Sequence, residues 1–286
     1  MKYQIITDSC CDFTDAEYKA MNVACVPLSV IWEGSAHTHF SCESALHSFY
    51  NRMREGLVAT SSALNPRDWE AAMEPFLQQE KDLLVLTVSS GISGTHQSAW
   101  IAAEELKEKY PQREIYVVDS RSGSLGEGLL LWHACRLRDA GAELMQTAQW
   151  LREHCTRICH WVTVETLENL KRSGRLSGAA ALVGTMLDIK PVIRVTEEGK
   201  LVSTGKVRGR KASIKMLAKK FAEHCCPEND LVTIAHGDCP EDAAMLASVL
   251  RETYGIRNIH IGYVGPILGA HTGPGVLGLF HLGTCR

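Results

Sequence analysis

The sequence predicts an α/β fold of two α/β domains, with a parallel sheet in the N-terminal domain and a mixed sheet in the C-terminal domain. Three observations support this prediction. Short apolar runs alternate with segments of helical periodicity in the first half, as in a parallel sheet covered by helices on both faces. A hairpin signal, Glu198-Gly199, lies between two strand-like runs of the second half. Two more helix–strand units follow it. We place the domains at residues 1–155 and 156–286.

The predicted strands of the first domain are short, and polar turns follow three of them. Helical periodicity separates the strands, and Pro66 and Gly141 are suited to the start and the end of a helix. Because ligands of open α/β sheets bind beyond the carboxyl ends of the strands, the polar turns are candidate binding segments. The predicted strands are 3–7, 23–28, 82–88 and 115–118, and the predicted helices are 43–54, 66–77, 99–110 and 125–140.

The second domain begins with a strand and then a basic connector that contains Gly174. A glycine-rich turn with His271 at its start precedes the last apolar run. The predicted strands are 159–164, 189–195, 200–207, 231–235, 258–264 and 276–282, the predicted helices are 210–225 and 242–254, and the connector is 167–177.

Composition excludes several classes of function. The formal net charge is −3 and basic residues form no block, which argues against nonspecific nucleic-acid binding. The sequence contains no run of about 18 apolar residues, the length needed to span a bilayer. Met1 leads into a strand-like run rather than a signal peptide, so we expect a cytoplasmic protein whose 11 cysteines are reduced thiols. The cysteines lack the paired spacing of a zinc site, and we predict no metal.

Two hydroxyl clusters are the candidate anion-binding segments. Residues 89–95 (Ser-Ser-Gly-Ile-Ser-Gly-Thr), hereafter the serine turn, lie between a predicted strand and a helix, and Thr60, Ser61 and Ser62 precede another helix. Hydroxyls and bare backbone N–H groups at a helix N-terminus suit an anion. Neither cluster contains Lys or Arg, so neutral donors would orient the anion. The alternative interpretation is an ordinary helix cap with glycines for a tight turn.

No local signal assembles a catalytic site. Ser93 does not lie in a G-x-S-x-G nucleophile elbow, because Thr95 occupies the place of the last glycine. The 12 histidines are scattered, and no nucleophile, base and orienting acid are adjacent in sequence. We therefore predict no catalytic residue. A Ser/His-dependent hydrolase or phosphotransferase that uses Ser93 or His271 remains the alternative, and a structural protein whose serine turns are only caps is a third possibility.

Seven segments, in order along nearly the whole chain, resemble the DegV family of bacterial fatty-acid-binding proteins. Each segment alone is a weak signal, and the seven in register are specific. They are Ile6-Thr7-Asp8-Ser9 with Asp12, residues 61–66, the serine turn, Val118-Asp119-Ser120, residues 167–177, Ile189-Lys190-Pro191, and residues 271–275.

The resemblance implies two α/β domains with a long-chain fatty acid between them and no other cofactor. It implies a non-catalytic carrier of phospholipid metabolism that presents the fatty acid carboxylate to a separate, ATP-using kinase subunit, where an acyl phosphate forms. The family's carboxylate-binding Thr falls on Ser61 here, with Thr60 directly before it. The implied carboxylate site comprises Thr60, Ser61, Ser62, Ser93, Gly94, Thr95 and His271, and the implied docking surface for the kinase subunit comprises Lys171, Arg172 and Arg175.

Overall fold

The first half of the chain forms a parallel sheet, a small antiparallel sheet and six helices in the computed structural model, which describes residues 3–38, 40, 42–177 and 188–284. In chain order the elements are β1 (Tyr3–Asp8), a 3₁₀ turn (Ser9–Cys11), α1 (Asp15–Ala20), β2 (Val23–Val26), β3 (Ser29–Trp32), β4 (Ser35–His37), α2 (Glu43–Arg54), β5 (Thr60–Ser62), α3 (Pro66–Gln78), β6 (Asp82–Thr87), α4 (Thr95–Lys109), β7 (Ile115–Asp119), α5 (Leu125–Asp139) and α6 (Leu144–His154).

The first sheet has the order β2-β1-β6-β7, and all its strands are parallel. Its central strand β6 is almost wholly buried, which explains the continuous apolar run. One face packs against α2, α3 and α4 and the other against α5 and α6. The sheet is therefore covered on both faces, as the sequence predicts.

The small sheet has the order β4-β3-β5 and is antiparallel. Its edge strand β5 carries Ser61, and α2 follows from β4. The Tyr50 hydroxyl of α2 donates to the Val264 carbonyl at 2.7 Å. Arg54 of α2 pairs with the buried Asp238 at 2.5 Å. The small sheet and α2 are thus tied to the second half of the chain.

The second half forms one seven-stranded mixed sheet of order β13-β12-β14-β8-β10-β11-β9. After a 3₁₀ turn (Cys155–Arg157), its elements are β8 (Ile158–Thr163), α7 (Glu168–Arg172), β9 (Leu176–Ser177), β10 (Ile189–Val195), β11 (Leu201–Arg208), α8 (Arg210–His224), β12 (Val232–His236), α9 (Pro240–Tyr254), β13 (Ile259–Tyr263), α10 (Pro266–Thr272) and β14 (Leu277–Leu282).

The two faces of this sheet have different partners because side chains alternate along each strand. On β8 and β14, Cys159, Trp161, Leu277 and Leu279 pack in the cluster formed with α8 and α9. The alternate residues of the same strands face the first half of the chain. The second half therefore has a solvent-side helical layer and an inner face that meets α5.

The predicted α/β fold with a parallel first sheet and a mixed second sheet is confirmed. The hairpin of β10 and β11 pairs antiparallel, as Glu198-Gly199 predicts. Strand β2 ends at Val26 rather than residue 28, since Pro27 has no N–H to donate to a ladder. Helices α1, α6 and α7 were not predicted. The domain boundary at 155/156 stays a prediction.

The placement of His271 in a glycine-rich turn is wrong. His271 lies near the end of α10, which begins with Pro266 at its first turn and ends before Gly273 at φ +82°. The helix contains Gly269, and because glycine is unfavourable inside a helix, the sequence did not indicate one here. Gly269 is needed there because a Cβ atom would lie 3.0 Å from Cζ of Tyr50. Packing against α2 therefore explains why a glycine occupies this helical position.

Candidate functional site

The serine turn is fixed by a buried carboxylate at the end of β1. Asp8 accepts from the backbone N–H of Cys10 at 2.9 Å and from that of Val88 at 2.8 Å. Val88 directly precedes the serine turn, so Asp8 joins the carboxyl ends of β1 and β6. Burial raises the pKa of Asp8 to about 6, although both backbone hydrogen bonds favour its charged form.

The serine turn also touches the hairpin of the second half. Ser89 donates to the Gly199 carbonyl at 2.8 Å. A Cβ atom at Gly91 would lie 2.6 Å from the Glu198 carbonyl oxygen, so the two backbones approach as closely as glycine allows. The hydroxyl of Ser90 donates to Asp119 at 2.6 Å. Ser89 and Ser90 therefore have structural partners.

Ser93 is the half-buried hydroxyl of the turn that faces a pocket. Its Oγ lies 2.9 Å from Oγ1 of Thr95 and accepts from the Thr95 N–H at 3.2 Å. Thr95 itself is fully buried at the start of α4. Ser93 thus closes a local turn before α4 and also lines the pocket, whereas the N-cap of α4 is Gly94, without a side-chain cap.

Ser61 meets His271 across 210 residues of sequence. Ser61 Oγ lies 2.7 Å from Nε2 of His271. Strand β5 supplies Ser61 and α10 supplies His271, and these two elements pack together. Nδ1 of His271 is buried and has no hydrogen-bond partner among the residues that the structure describes.

His271 is neutral near pH 7. Burial, together with the positive charges of Arg175 and Arg172, lowers its pKa to about 4. A neutral imidazole carries one proton. If Nε2 carries that proton, it donates to Ser61 Oγ and leaves the Ser61 hydroxyl proton for a second acceptor.

Ser93, Arg175, His271 and Cys10 line one pocket, which we call the polar pocket, of about 410 Å³. Nε of Arg175 donates to the Ile92 carbonyl at 3.4 Å, so the arginine reaches from the connector to the serine turn. The sequence placed Arg175 in the implied docking surface of the kinase subunit. It also led us to expect only neutral hydrogen-bond donors around the bound anion. The structure instead brings a guanidinium to the polar pocket. Gly174, at φ +69°, ends α7 and directs Arg175 there.

An apolar cavity of about 610 Å³ continues from the polar pocket. Ile92, Leu170, Leu201, Leu268 and Thr272 line both spaces. The remaining walls come from the inner face of the mixed sheet and from residues 122–124 before α5. The cavity therefore lies between the two halves.

Ser61, Thr95 and the other predicted site residues do not line either space. The exposed Thr60 and Ser62 flank the half-buried Ser61 on β5, so their side chains point to the opposite face. Gly94 is exposed at the start of α4, and its Cβ position is open. Lys171 and Arg172 are exposed on α7, where Arg172 donates to Asn169 at 2.6 Å.

Two further buried carboxyls lie behind the polar pocket. Asp12 ends the 3₁₀ turn at φ +58° and accepts from the Ser124 hydroxyl at 2.5 Å. Burial raises the pKa of Asp12 to about 7 and raises that of Glu127 as well. Neither residue lines the polar pocket.

The arrangement can hold an amphipathic anion. Ser93, His271 and Arg175 line one end, Ser61 contacts His271 from β5, and apolar side chains form most of the rest. No group of three or more metal-ligating side chains occurs among the described residues. Within the same residues, none of the helices combines the length and the apolar character needed to span a bilayer.

Comparison with known proteins identifies similar chains. The model of the family described as "Uncharacterised protein, DegV family" matches residues 2–283. A DegV domain-containing protein of Clostridium perfringens is 37% identical over 287 residues, which cover 100% of this chain and 99% of that protein.

Two solved structures are each 28% identical. A DegV family protein from Thermus thermophilus, described by its fatty acid binding, has a TM-score of 0.88 over 99% of this chain and 100% of that one. A DegV lipid binding protein from Thermotoga maritima has a TM-score of 0.87 over 100% of both chains.

Proposed function

We propose that this chain, which belongs to the DegV family, binds a long-chain fatty acid with its acyl chain in the apolar cavity and its carboxylate in the polar pocket. The observation that carries the proposal is the set of lining residues that the two spaces share, since the first space is apolar and the second adds the polar side chains of Ser93, Arg175 and His271. The fatty acid binding described for the Thermus thermophilus protein of the same fold supports it.

The acyl chain supplies most of the affinity in this account. Burial of ten methylenes contributes about 8 kcal/mol at roughly 0.8 kcal/mol each. One hydrogen bond to a charged group contributes about 1.5–3 kcal/mol. The cavity therefore provides the affinity, and the polar pocket sets the position of the carboxylate.

Binding of a carboxylate selects one tautomer of His271. A carboxylate accepts hydrogen bonds only, so Ser61 must donate its hydroxyl proton to the ligand. Ser61 can do so when Nε2–H of His271 donates to Ser61 Oγ, across the 2.7 Å contact. His271 is then a positioning residue for Ser61, and Ser93 supplies a second hydroxyl.

Arg175 offsets the negative charge of the carboxylate and faces the same pocket as Ser93 and His271. In the kinase role that we propose, a carboxylate oxygen attacks the γ-phosphate of ATP on a separate kinase subunit, giving an acyl phosphate and ADP. A guanidinium beside the hydroxyls would stabilise the added phosphate by charge-assisted hydrogen bonds. The chain itself acts as the carrier and performs no bond-making step.

The geometry favours a carrier over a hydrolase. His271 contacts Ser61 rather than Ser93, which pairs with Thr95. A serine nucleophile needs a base that is oriented by a third group. In the part of the chain that the structure describes, Nδ1 of His271 meets no such group, and burial together with Arg175 and Arg172 lowers the pKa of the imidazole.

The direct test is native mass spectrometry of the chain purified after expression in a bacterium, with the released lipid identified by extraction. We expect one long-chain fatty acid per chain, held in the apolar cavity. A chain that carries no lipid and gains none when mixed with palmitic, oleic and stearic acids would contradict the proposal. Esterase and phosphatase assays on the same sample should give only background rates.

A further inference from the structure

The apolar cavity ends at a pair of rings on adjacent strands of the mixed sheet. His160 of β8 and Phe280 of β14 are paired in the sheet register and both line the cavity. Their ring centroids are 5.2 Å apart in an edge-to-face arrangement. Both side chains are 3% exposed, and neither lines the polar pocket. The pair therefore lies outside the part of the cavity that adjoins the polar pocket.

Strand alternation divides the inner face of the sheet into successive layers. Val162 and Gly278, which are paired, form the layer before the two rings and also line the cavity. Ile158 and Leu282, which are paired beyond the rings, do not line it. They pack instead in the core cluster shared with α5. The cavity therefore stops between the second and the third layer.

Helix α5 prevents the two rings from moving aside. A Cβ atom at Gly126 would lie 2.9 Å from Cδ2 of His160 and 2.9 Å from Cδ1 of Phe280. On the other side, a Cβ atom at Gly278 would lie 2.6 Å from Cζ of Phe280. The Phe280 ring is therefore confined between α5 and the glycine of its own strand.

We propose that the His160–Phe280 pair is the end stop of the acyl cavity and determines the longest fatty acid that the protein accommodates. This inference rests on the proposed function and adds to it the residues that set acyl-chain length. A rigid stop excludes chains that are one layer too long, because close-packed side chains confined on both sides cannot yield without strain.

The test measures the affinity of the full chain for myristic, palmitic, stearic, arachidic and behenic acids. Phe280→Leu should move the length optimum upward, with about fourfold tighter binding for each added methylene that becomes buried. Val162→Phe, one layer closer to the polar pocket, should move the optimum downward. Phe221→Leu is the matched control, since Phe221 is buried in the α8 and α9 cluster on the opposite face of the sheet.

An unchanged length profile in Phe280→Leu overturns the end stop while fatty acid binding by the unmodified chain stands. An equal shift of the length optimum in Phe221→Leu also overturns the end stop, because the shift would then reflect a general loosening of the core. If Phe280→Leu does not fold, Val162→Phe decides: a shortened optimum supports the end stop and an unchanged one overturns it. Failure of the unmodified chain to bind any of the five acids contradicts both the end stop and the proposed function.

Discussion

At the scale of single residues, the proposed site depends on which face of a strand a hydroxyl occupies. Ser61 turns toward His271, whereas Thr60 and Ser62 turn away to solvent. The sequence left open whether Thr60 or Ser61 contacts the carboxylate, since a shift of one residue reverses the face. The pairing of β5 with β3, which places Ser61 opposite Val30, puts Ser61 on the face that meets His271, and our proposal therefore uses Ser61.

Replacement of Ser61 and Ser93 tests the proposed carboxylate contacts. Each of Ser61→Ala and Ser93→Ala should weaken fatty acid binding by about 1.5–3 kcal/mol, because each removes one hydrogen bond to a charged group. Ser62→Ala is the control on the same strand and should leave the affinity unchanged. Titration calorimetry gives the three values. Equal affinities for Ser61→Ala and Ser62→Ala would remove Ser61 from the site.

Arg175 has two measurable effects. Arg175→Ala should weaken fatty acid binding, since a charge-assisted hydrogen bond is lost. It should also raise the pKa of His271 from about 4, because a neighbouring positive charge disfavours the imidazolium. Burial, the larger cause, should keep the value below 6.5. NMR titration of His271 measures the shift, and a pKa unchanged by Arg175→Ala would place the guanidinium too far away to act.

At the scale of elements, the end of β1 and the start of α5 meet through a buried carboxyl. Asp12 has a left-handed backbone conformation and accepts from Ser124, so this short turn fixes α5 against the parallel sheet. Asn tolerates the same conformation and keeps an acceptor oxygen. Asp12→Asn is therefore a substitution that removes the charge and little else.

Asp12→Asn should become more stable relative to the unmodified chain as the pH rises from about 4 to 7. Burial raises the pKa of Asp12 from 3.8 to about 7 in the folded chain. In that range the unfolded state releases the proton and the folded state keeps it, so the free energy of unfolding of the unmodified chain falls as pH rises. The relative change should reach up to about 4 kcal/mol at 1.36 kcal/mol per unit. Denaturant titrations at several pH values measure it, and a difference independent of pH would contradict the burial argument.

Local signals predicted most of the long elements but missed the 11-residue helix α6, and they predicted the short elements poorly. Pro66 at the first turn of α3, capped by Asn65, and the apolar run of β6 are readable in sequence because each follows from local chemistry. Helix α10 was missed since Gly269 reads as a helix breaker, and its reason lies in the distant Tyr50. Arg175 was assigned to a docking surface, because its approach to Ile92 depends on tertiary packing. The shape of the cavity follows from the meeting of two halves and has no local signal.

At the scale of the whole molecule, the apolar cavity exists because two α/β halves leave a gap between the serine turn and the inner face of the mixed sheet. The halves touch through the close approach of Gly91 to Glu198 and through α2, whose Arg54 pairs with Asp238. Contacts on both sides of the cavity keep the polar pocket aligned with it. The exposed Lys171 and Arg172 lie next to this pocket on α7, outside the cavity.

Charge reversal on α7 tests the proposed docking of a kinase subunit. Lys171→Glu with Arg172→Glu should slow acyl phosphate formation at low kinase concentration and leave fatty acid affinity unchanged, since neither residue lines the cavity or the pocket. The effect should shrink as salt rises, because exposed charges are screened over about 10 Å at 0.1 M. Lys211→Glu with Lys215→Glu on α8 is the control. Full turnover by the α7 variant at low salt would exclude α7 from the docking surface.

A crystal structure of the chain with stearic acid tests the central claim most directly. We predict the carboxylate within hydrogen-bond distance of the hydroxyls of Ser61 and Ser93, with the acyl chain between the two halves and its methyl end toward Phe280. An acyl chain outside the cavity, or a carboxylate that contacts neither hydroxyl, would contradict the account.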